Sequence, residues 1–141
     1  MTQAKLTPTR DETPVTDTGL SPEETATAIA ELAADRKAID LVGLDLRGMI
    51  GYADYFLIAS GRSDRQTRAI HDAIHAGMKE RYGLLPRRVE GVGESHWILM
   101  DYLDVVVHIF TPDTREYYRL EQLWGEAPPL ALPDLPDPTD A

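Results

Sequence analysis

The sequence predicts an α/β domain in which a mixed five-stranded sheet carries flanking helices, and three observations support that expectation. The stretch 95–110 holds two apolar runs on either side of an Asp101-Tyr102-Leu103-Asp104 corner. Val105-Val106-Val107 with Ile109 is strand composition without helical spacing, so the stretch reads as a β-hairpin. Two other segments place apolar residues at helical intervals behind capping residues. The resulting order is helix, two strands, helix, three strands, helix, which layers helices on a mixed sheet.

The elements follow in chain order. Residues 1–20 are rich in Thr, Pro and Asp and hold almost no large apolar side chains. They bury too little surface to offset the entropy of ordering, so they are expected to be a tail. Ser21-Pro22-Glu23-Glu24 supplies an N-cap, a proline at the first helical position and the acid of a capping box, for a helix running to about Arg36. Ala26, Ile29, Ala30, Leu32 and Ala33 form its apolar stripe, with Glu23, Glu31 and Asp35 toward water. Ile39, Leu41, Val42, Leu44 and Leu46 fit a first strand, and 55–59 a second. Ser63 and Gln66 repeat the capping-box spacing ahead of Ile70, Ala73, Ile74, Gly77 and Met78, and Gly83 after Lys79 and Arg81 stops this second helix. A short strand at 88–91 leads to the hairpin. Thr111-Pro112-Asp113 opens a last helix whose apolar side is Tyr117, Leu120, Leu123 and Trp124. From Gly125 the composition turns acidic and Pro-rich, so the domain is expected over 21–124 and a second disordered tail over 125–141.

Composition narrows the function. With 141 residues the chain holds one domain with tails. A net charge of −10 argues against extensive contact with nucleic acid and suits a basic partner. Cysteine is absent, which removes disulfides, thiolate metal sites and a Cys nucleophile, and points to the cytoplasm. No apolar run approaches the roughly 20 residues of a membrane span.

Four constellations bear on chemistry. Ser60-Gly61-Arg62-Ser63, with Arg65 and Arg68, lies between a strand and a helix where a phosphate can bind, yet it lacks the pattern of a P-loop or a dinucleotide fingerprint. A tight turn with Arg on the wet face is the preferred reading. Asp101 and Asp104, with Asp45 or Asp54, have the chemistry of a Mg²⁺ site, but Asp beside a turn ordinarily bonds nearby backbone N–H groups. His71 and His75 share a helix face without a third ligand and are expected to face solvent, while His108 among valines reads as a satisfied sheet histidine. No catalytic set and no metal site is expected. Trp97, Met100, Tyr102 and Leu103 remain. An aromatic and a leucine at a hairpin tip, flanked by Asp101 and Asp104, are expected to be exposed as protein-binding anchors for a basic partner.

Asp54-Tyr55-Phe56, Ala59-Ser60-Gly61 with Ser63-Asp64-Arg65, Trp97, Asp101-Tyr102, Asp104-Val105-Val106-Val107-His108, Tyr118, Leu120-Glu121 and Leu123-Trp124 together resemble the ribosomal silencing factor family (RsfS, Iojap-like), over about 22–124. The resemblance implies a nucleotidyltransferase-like fold without recognised transferase activity and with no cofactor. It also implies a function: binding ribosomal protein number fourteen on the large subunit, at the face that meets the small subunit, so that subunit joining is blocked and translation falls. Trp97, Asp101, Tyr102 and Asp104 match the family's contact region, with Met100 and Leu103 beside them. Leu103 stands where the family commonly has Gly, and because Leu resists positive φ the corner is expected to use a different geometry. Two other readings stay open. One is a metal-dependent nucleotidyltransferase using Ser60-Gly61 for phosphate and Asp101 or Asp104 for Mg²⁺. The other is a homodimer formed off the ribosome through the hairpin.

Overall fold

Capping chemistry starts both long helices of the chain, whose computed structural model describes residues 19–49, 51, 53–130 and 132. Helix α1 (Pro22–Asp35) has a complete capping box: Ser21 Oγ accepts the Glu24 N–H at 3.1 Å, and Glu24 Oε1 accepts the Ser21 N–H at 2.9 Å. At the start of α2 (Asp64–Tyr82), Ser63 Oγ accepts the Gln66 N–H at 3.1 Å. The Gln66 side chain does not return to the cap. Its Oε1 accepts the Arg62 N–H at 2.8 Å and its Nε2 donates to the carbonyls of Arg36 and Lys37, tying α2 to the end of α1. Gly83, at φ 66°, ends α2 as a left-handed cap, donating to the Lys79 carbonyl while the Leu84 N–H reaches that of Met78.

Five strands follow the expected order: β1 (Ile39–Asp45), β2 (Tyr55–Ser60), β3 (Arg88–Glu90), β4 (Trp97–Asp101) and β5 (Val105–Phe110). In space they run β1-β2-β5-β4-β3, with β2 parallel to β5 and all other pairs antiparallel. Central β5 is buried along its whole length, which explains why apolar residues occupy both of its alternating faces. Ile29, Ile70, Ile74 and Met78 of the two helices close one face over Leu57, Ile98, Val107 and Ile109. The second face carries Phe56, Ile58, Val106, His108 and Phe110.

Two expectations about the C-terminal part change. The last helix is broken into α3 (Pro112–Tyr118) and α4 (Leu120–Leu123) by Arg119 at φ 49°. The partly buried pair Arg115–Glu121, with contacts of 3.1 and 2.9 Å, accounts for the break: residues six apart lie on different sides of a continuous helix, and the bend lets them meet. The chain after Gly125 was assigned to a disordered tail, yet 126–130 runs back along β1. The Asp45 N–H donates to the Pro128 carbonyl at 2.8 Å and the Leu130 N–H to the Gly43 carbonyl at 2.8 Å, while Ala127 is buried against the second face. Ala, Leu and Pro in this acidic segment give it enough apolar surface to cover a strand edge. The tail expected over 1–20 falls, except for Gly19 and Leu20, outside the described residues, as do 133–141 of the second.

Candidate protein-docking surface

The hairpin corner turns inward. Asp101 Oδ1 accepts the Leu103 N–H at 2.8 Å and its Oδ2 accepts from Arg87 Nη2 at 3.2 Å, so this carboxylate braces the turn. The Asp104 N–H reaches the Tyr102 carbonyl at 3.0 Å across Leu103, whose φ is 81°. A positive φ spanned by a bond of this kind marks the strained form of the γ-turn. Leu103 therefore adopts the conformation that its side chain resists, contrary to the expectation of a different geometry. The tight turn folds Tyr102 under the sheet. Tyr102 is 2% exposed and Met100 fully buried, both in the cluster beneath the helices, so neither is the exposed anchor that the sequence suggested. The Tyr102 hydroxyl has no hydrogen-bond partner, and burial pushes its pKa above the usual tyrosine range. Of the six predicted site residues, Asp101 is a buried brace, half-buried Trp97 and Leu103 reach the surface, and Asp104 is exposed.

Trp97 points to the second face, away from Tyr102. Its indole Nε1–H donates to His108 Nδ1 at 3.1 Å, which places the ring proton of the neutral histidine on Nε2. That Nε2 is buried without a partner, so His108 is only half satisfied. Burial lowers its pKa to about 4. The Trp97 ring lies 4.9 Å from those of Phe110 and Tyr118, and Tyr118 meets Tyr117 edge-on at 4.9 Å. Tyr118 is 50% exposed, Tyr117 79% and Leu123 70%. A chain of aromatic contacts thus runs from β4 onto α3, and Leu123 of α4 is exposed as well. The sequence reading had placed Tyr117 and Leu123 on the buried side of a single helix. The missed signal is that Tyr117, Tyr118, Leu120, Leu123 and Trp124 hold more apolar bulk than one face of a short helix can bury.

The remaining constellations resolve into separate structural roles. Ser60 lies in an open cleft of about 440 Å³ lined also by Asp40, Arg115, Glu116, Arg119 and Glu121. Of its two cations, Arg115 donates from Nη1 to Ser60 Oγ at 2.8 Å and grips Glu121 with the rest of its guanidinium, holding that carboxyl below its usual range, while Arg119 Nε donates to the Glu116 carbonyl at 3.3 Å. Arg62, Arg65 and Arg68 are exposed, as the tight-turn reading requires. Asp45 pairs with Arg47 at 2.7 Å, far from sharing a site with Asp101. Among the described residues no cluster of His, Asp or Glu is placed to hold a metal. His71 and His75 are half-buried rather than solvent-facing, their rings 5.9 Å apart, and burial followed by the neighbouring His71 lowers the pKa of His75.

This geometry defines an α/β domain whose buried polar groups mostly brace turns and helix junctions, and which exposes Tyr117, Tyr118 and Leu123 on α3 and α4. The model of the family "Ribosomal silencing factor during starvation" (RsfS) matches residues 20–141, and the chain belongs to that family. It is 47% identical over 94 residues to ribosomal silencing factor RsfS of Bacillus subtilis, covering 67% of this chain and 79% of the relative. It is 33% identical over 101 residues to mouse "Mitochondrial assembly of ribosomal large subunit protein 1", covering 68% of this chain and 43% of that one. A crystal structure of a Chromobacterium violaceum protein superposes with a TM-score of 0.73 at 30% identity, covering 82% of this chain and 92% of the other. A Bacillus halodurans structure gives 0.69 at 36% identity, covering 78% and 99%. No helix among the described residues is long and apolar enough to cross a membrane.

Proposed function

We propose that this chain docks on the large ribosomal subunit in the cytoplasm through ribosomal protein number fourteen, and that its bulk keeps the small subunit from joining, so that translation is repressed. The observation that carries the reading is the exposure of Tyr117, Tyr118 and Leu123 beside half-buried Trp97, a composition suited to hot spots of protein recognition. Family membership supports the ribosome as the assembly concerned. The net charge of −10 favours a basic protein as the direct contact. Leu103 and Asp104 extend the contact to the hairpin, while Met100, Asp101 and Tyr102 hold it from behind.

The test is co-sedimentation with isolated large subunits, followed by addition of small subunits. The wild-type chain pellets and whole ribosomes fail to form. Tyr118→Ala and Trp97→Ala each weaken binding by about 1–4 kcal/mol, the range of interface hot spots. Full affinity in a folded double variant overturns the proposal. The nucleotidyltransferase reading gains nothing from the Ser60 cleft, where Arg115 is taken up by Ser60 and Glu121. An increase in Tm with millimolar ATP and Mg²⁺ would revive it.

A further inference from the structure

Among the described residues, the outer edge of β1 pairs with the C-terminal segment 126–130. Residues 126–130 lie antiparallel to it, with Leu44 opposite Pro129, and the two main-chain bonds from Asp45 and Leu130 hold them there. Pro128, opposite Asp45, has no N–H to return to the Asp45 carbonyl, so this segment makes a sparser ladder than an ordinary strand, which exchanges two bonds at such a pair. The segment also wraps the edge: Ala127 packs on the second face, while Leu130 and Leu132 reach the helix-covered side. Gly43 leaves room for it, since a Cβ there meets the Leu130 Cβ at 3.0 Å. The segment hangs from α4, a four-residue helix between the Arg119 break and Gly125.

What lies next to this segment is not a finished core. Phe56 touches both Trp124, edge-on at 6.2 Å, and the ring of His108 at 4.7 Å. His108 keeps a buried ring nitrogen with no hydrogen-bond partner, an arrangement that is costly to maintain. The same face continues through Trp97 to the proposed docking surface.

We infer that the edge of β1 is a second docking surface, one that accepts an extended apolar segment of a protein partner by strand addition, and that the chain's own proline-rich 126–130 occupies it until docking. The inference rests on the large-subunit reading above and names the part of the surface which that reading leaves covered. The self-segment shows the geometry of the ligand: it accepts from the N–H of Asp45, donates to the carbonyl of Gly43, and places a small side chain on the second face. A partner strand with an N–H where Pro128 stands adds the bond that the proline cannot make and displaces the self-segment.

The absence of native cysteine permits a direct test in the full chain. Gly43→Cys with Leu130→Cys puts two thiols at a pair of positions whose Cβ separation of 3.0 Å needs less than about 1 Å of widening to reach the ordinary disulfide spacing. Oxidation locks the segment and reduction frees it within one protein. The expected result is at least tenfold weaker binding of the oxidised form to isolated large subunits, recovered on reduction, with the oxidised Tm no lower. Equal affinities of the two forms, with the crosslink verified by mass, overturn the inference while leaving the docking surface intact. If the wild-type chain does not pellet at all, the large-subunit reading falls and this one with it. A reduced form that dimerises on concentration, with subunit affinity unchanged by the lock, assigns the edge to a second copy of the chain and also overturns it.

Discussion

Replacing Leu103 separates strain from packing at the hairpin. Its φ of 81° is a conformation that glycine adopts freely and leucine does not. Holding a side chain in the left-handed region costs roughly 1–2 kcal/mol. Leu103→Ala keeps that strain and loses the packing of a half-buried side chain, a destabilisation of about 1 kcal/mol. Leu103→Gly loses the same packing and relieves the strain, but adds roughly 0.5–1 kcal/mol of chain entropy in the unfolded state. The glycine variant is therefore expected to be more stable than the alanine variant by about 0.5–1 kcal/mol, the inverse of the usual order. Urea unfolding of the three proteins measures the difference, and a domain of this size shifts by a few degrees in Tm per kcal/mol. An alanine variant as stable as the glycine one would falsify the strained-turn account. Both variants lose the leucine from the rim, so both are expected to bind large subunits more weakly than the wild type.

Three other outcomes follow from the same geometry. Tyr102→Phe removes a buried hydroxyl without a partner and is expected to leave thermal stability unchanged or higher, whereas Tyr102→Ala opens a cavity and costs about 3–5 kcal/mol. At His108 the folded-state pKa of about 4 lies below the unfolded value of 6.5, so the unfolded chain takes up a proton that the folded one refuses. Stability is expected to decline as pH falls from about 6.5 to about 4 and to lose this contribution to the slope below that, and His108→Phe flattens that part of the profile in urea midpoints measured against pH. Gly91, at φ 88°, has the Trp97 carbonyl oxygen where a Cβ would stand. Gly91→Ala is expected to cost about 2 kcal/mol or more and to shift Trp97, read as a lowered Tm together with weaker subunit binding.

The order of elements was legible because each carries its own local signal. Ser21 and Ser63 cap helices where their spacing placed them, Gly83 stops α2, and the valine-rich run is the central strand. The burial of Tyr102 was not legible. A corner residue is expected outside, and only the pairing register, in which the Tyr102 N–H bonds the Val105 carbonyl, reveals a turn tight enough to send the ring under the sheet. The break at Arg119 was hidden for a related reason: it is caused by Arg115 meeting both Glu121 and Ser60, and the last contact spans 55 residues. Of the predicted site, Trp97, Leu103 and Asp104 stay at the surface, and the rest became its support. Composition alone also assigned 126–130 to a tail, because the edge it covers is formed by a strand more than 80 residues earlier in the chain.

That division between surface and support bears on how the proposed docking would work. Trp97 is held by the bond to His108 and by contacts with Phe110 and Tyr118, so its ring is positioned before any partner arrives. Asp101 fixes Leu103 through its N–H, and buried Tyr102 anchors the base of the same turn. Side chains ordered in the free protein lose less entropy on binding, at about 0.5–1.5 kcal/mol for each one otherwise immobilised. Residues behind the surface can therefore affect affinity without touching the partner. On the proposed docking the signature differs from that of a contact residue: a substitution at Tyr102 or Asp101 is expected to lower stability and affinity together, whereas one at half-exposed Tyr118 is expected to lower affinity with a smaller loss of stability. Plotting Tm against subunit affinity across Tyr118→Ala, Asp101→Asn and Tyr102→Ala thus separates the two kinds of residue. Loss of stability in Tyr118→Ala comparable to that in Tyr102→Ala would show that the aromatic surface is core rather than contact.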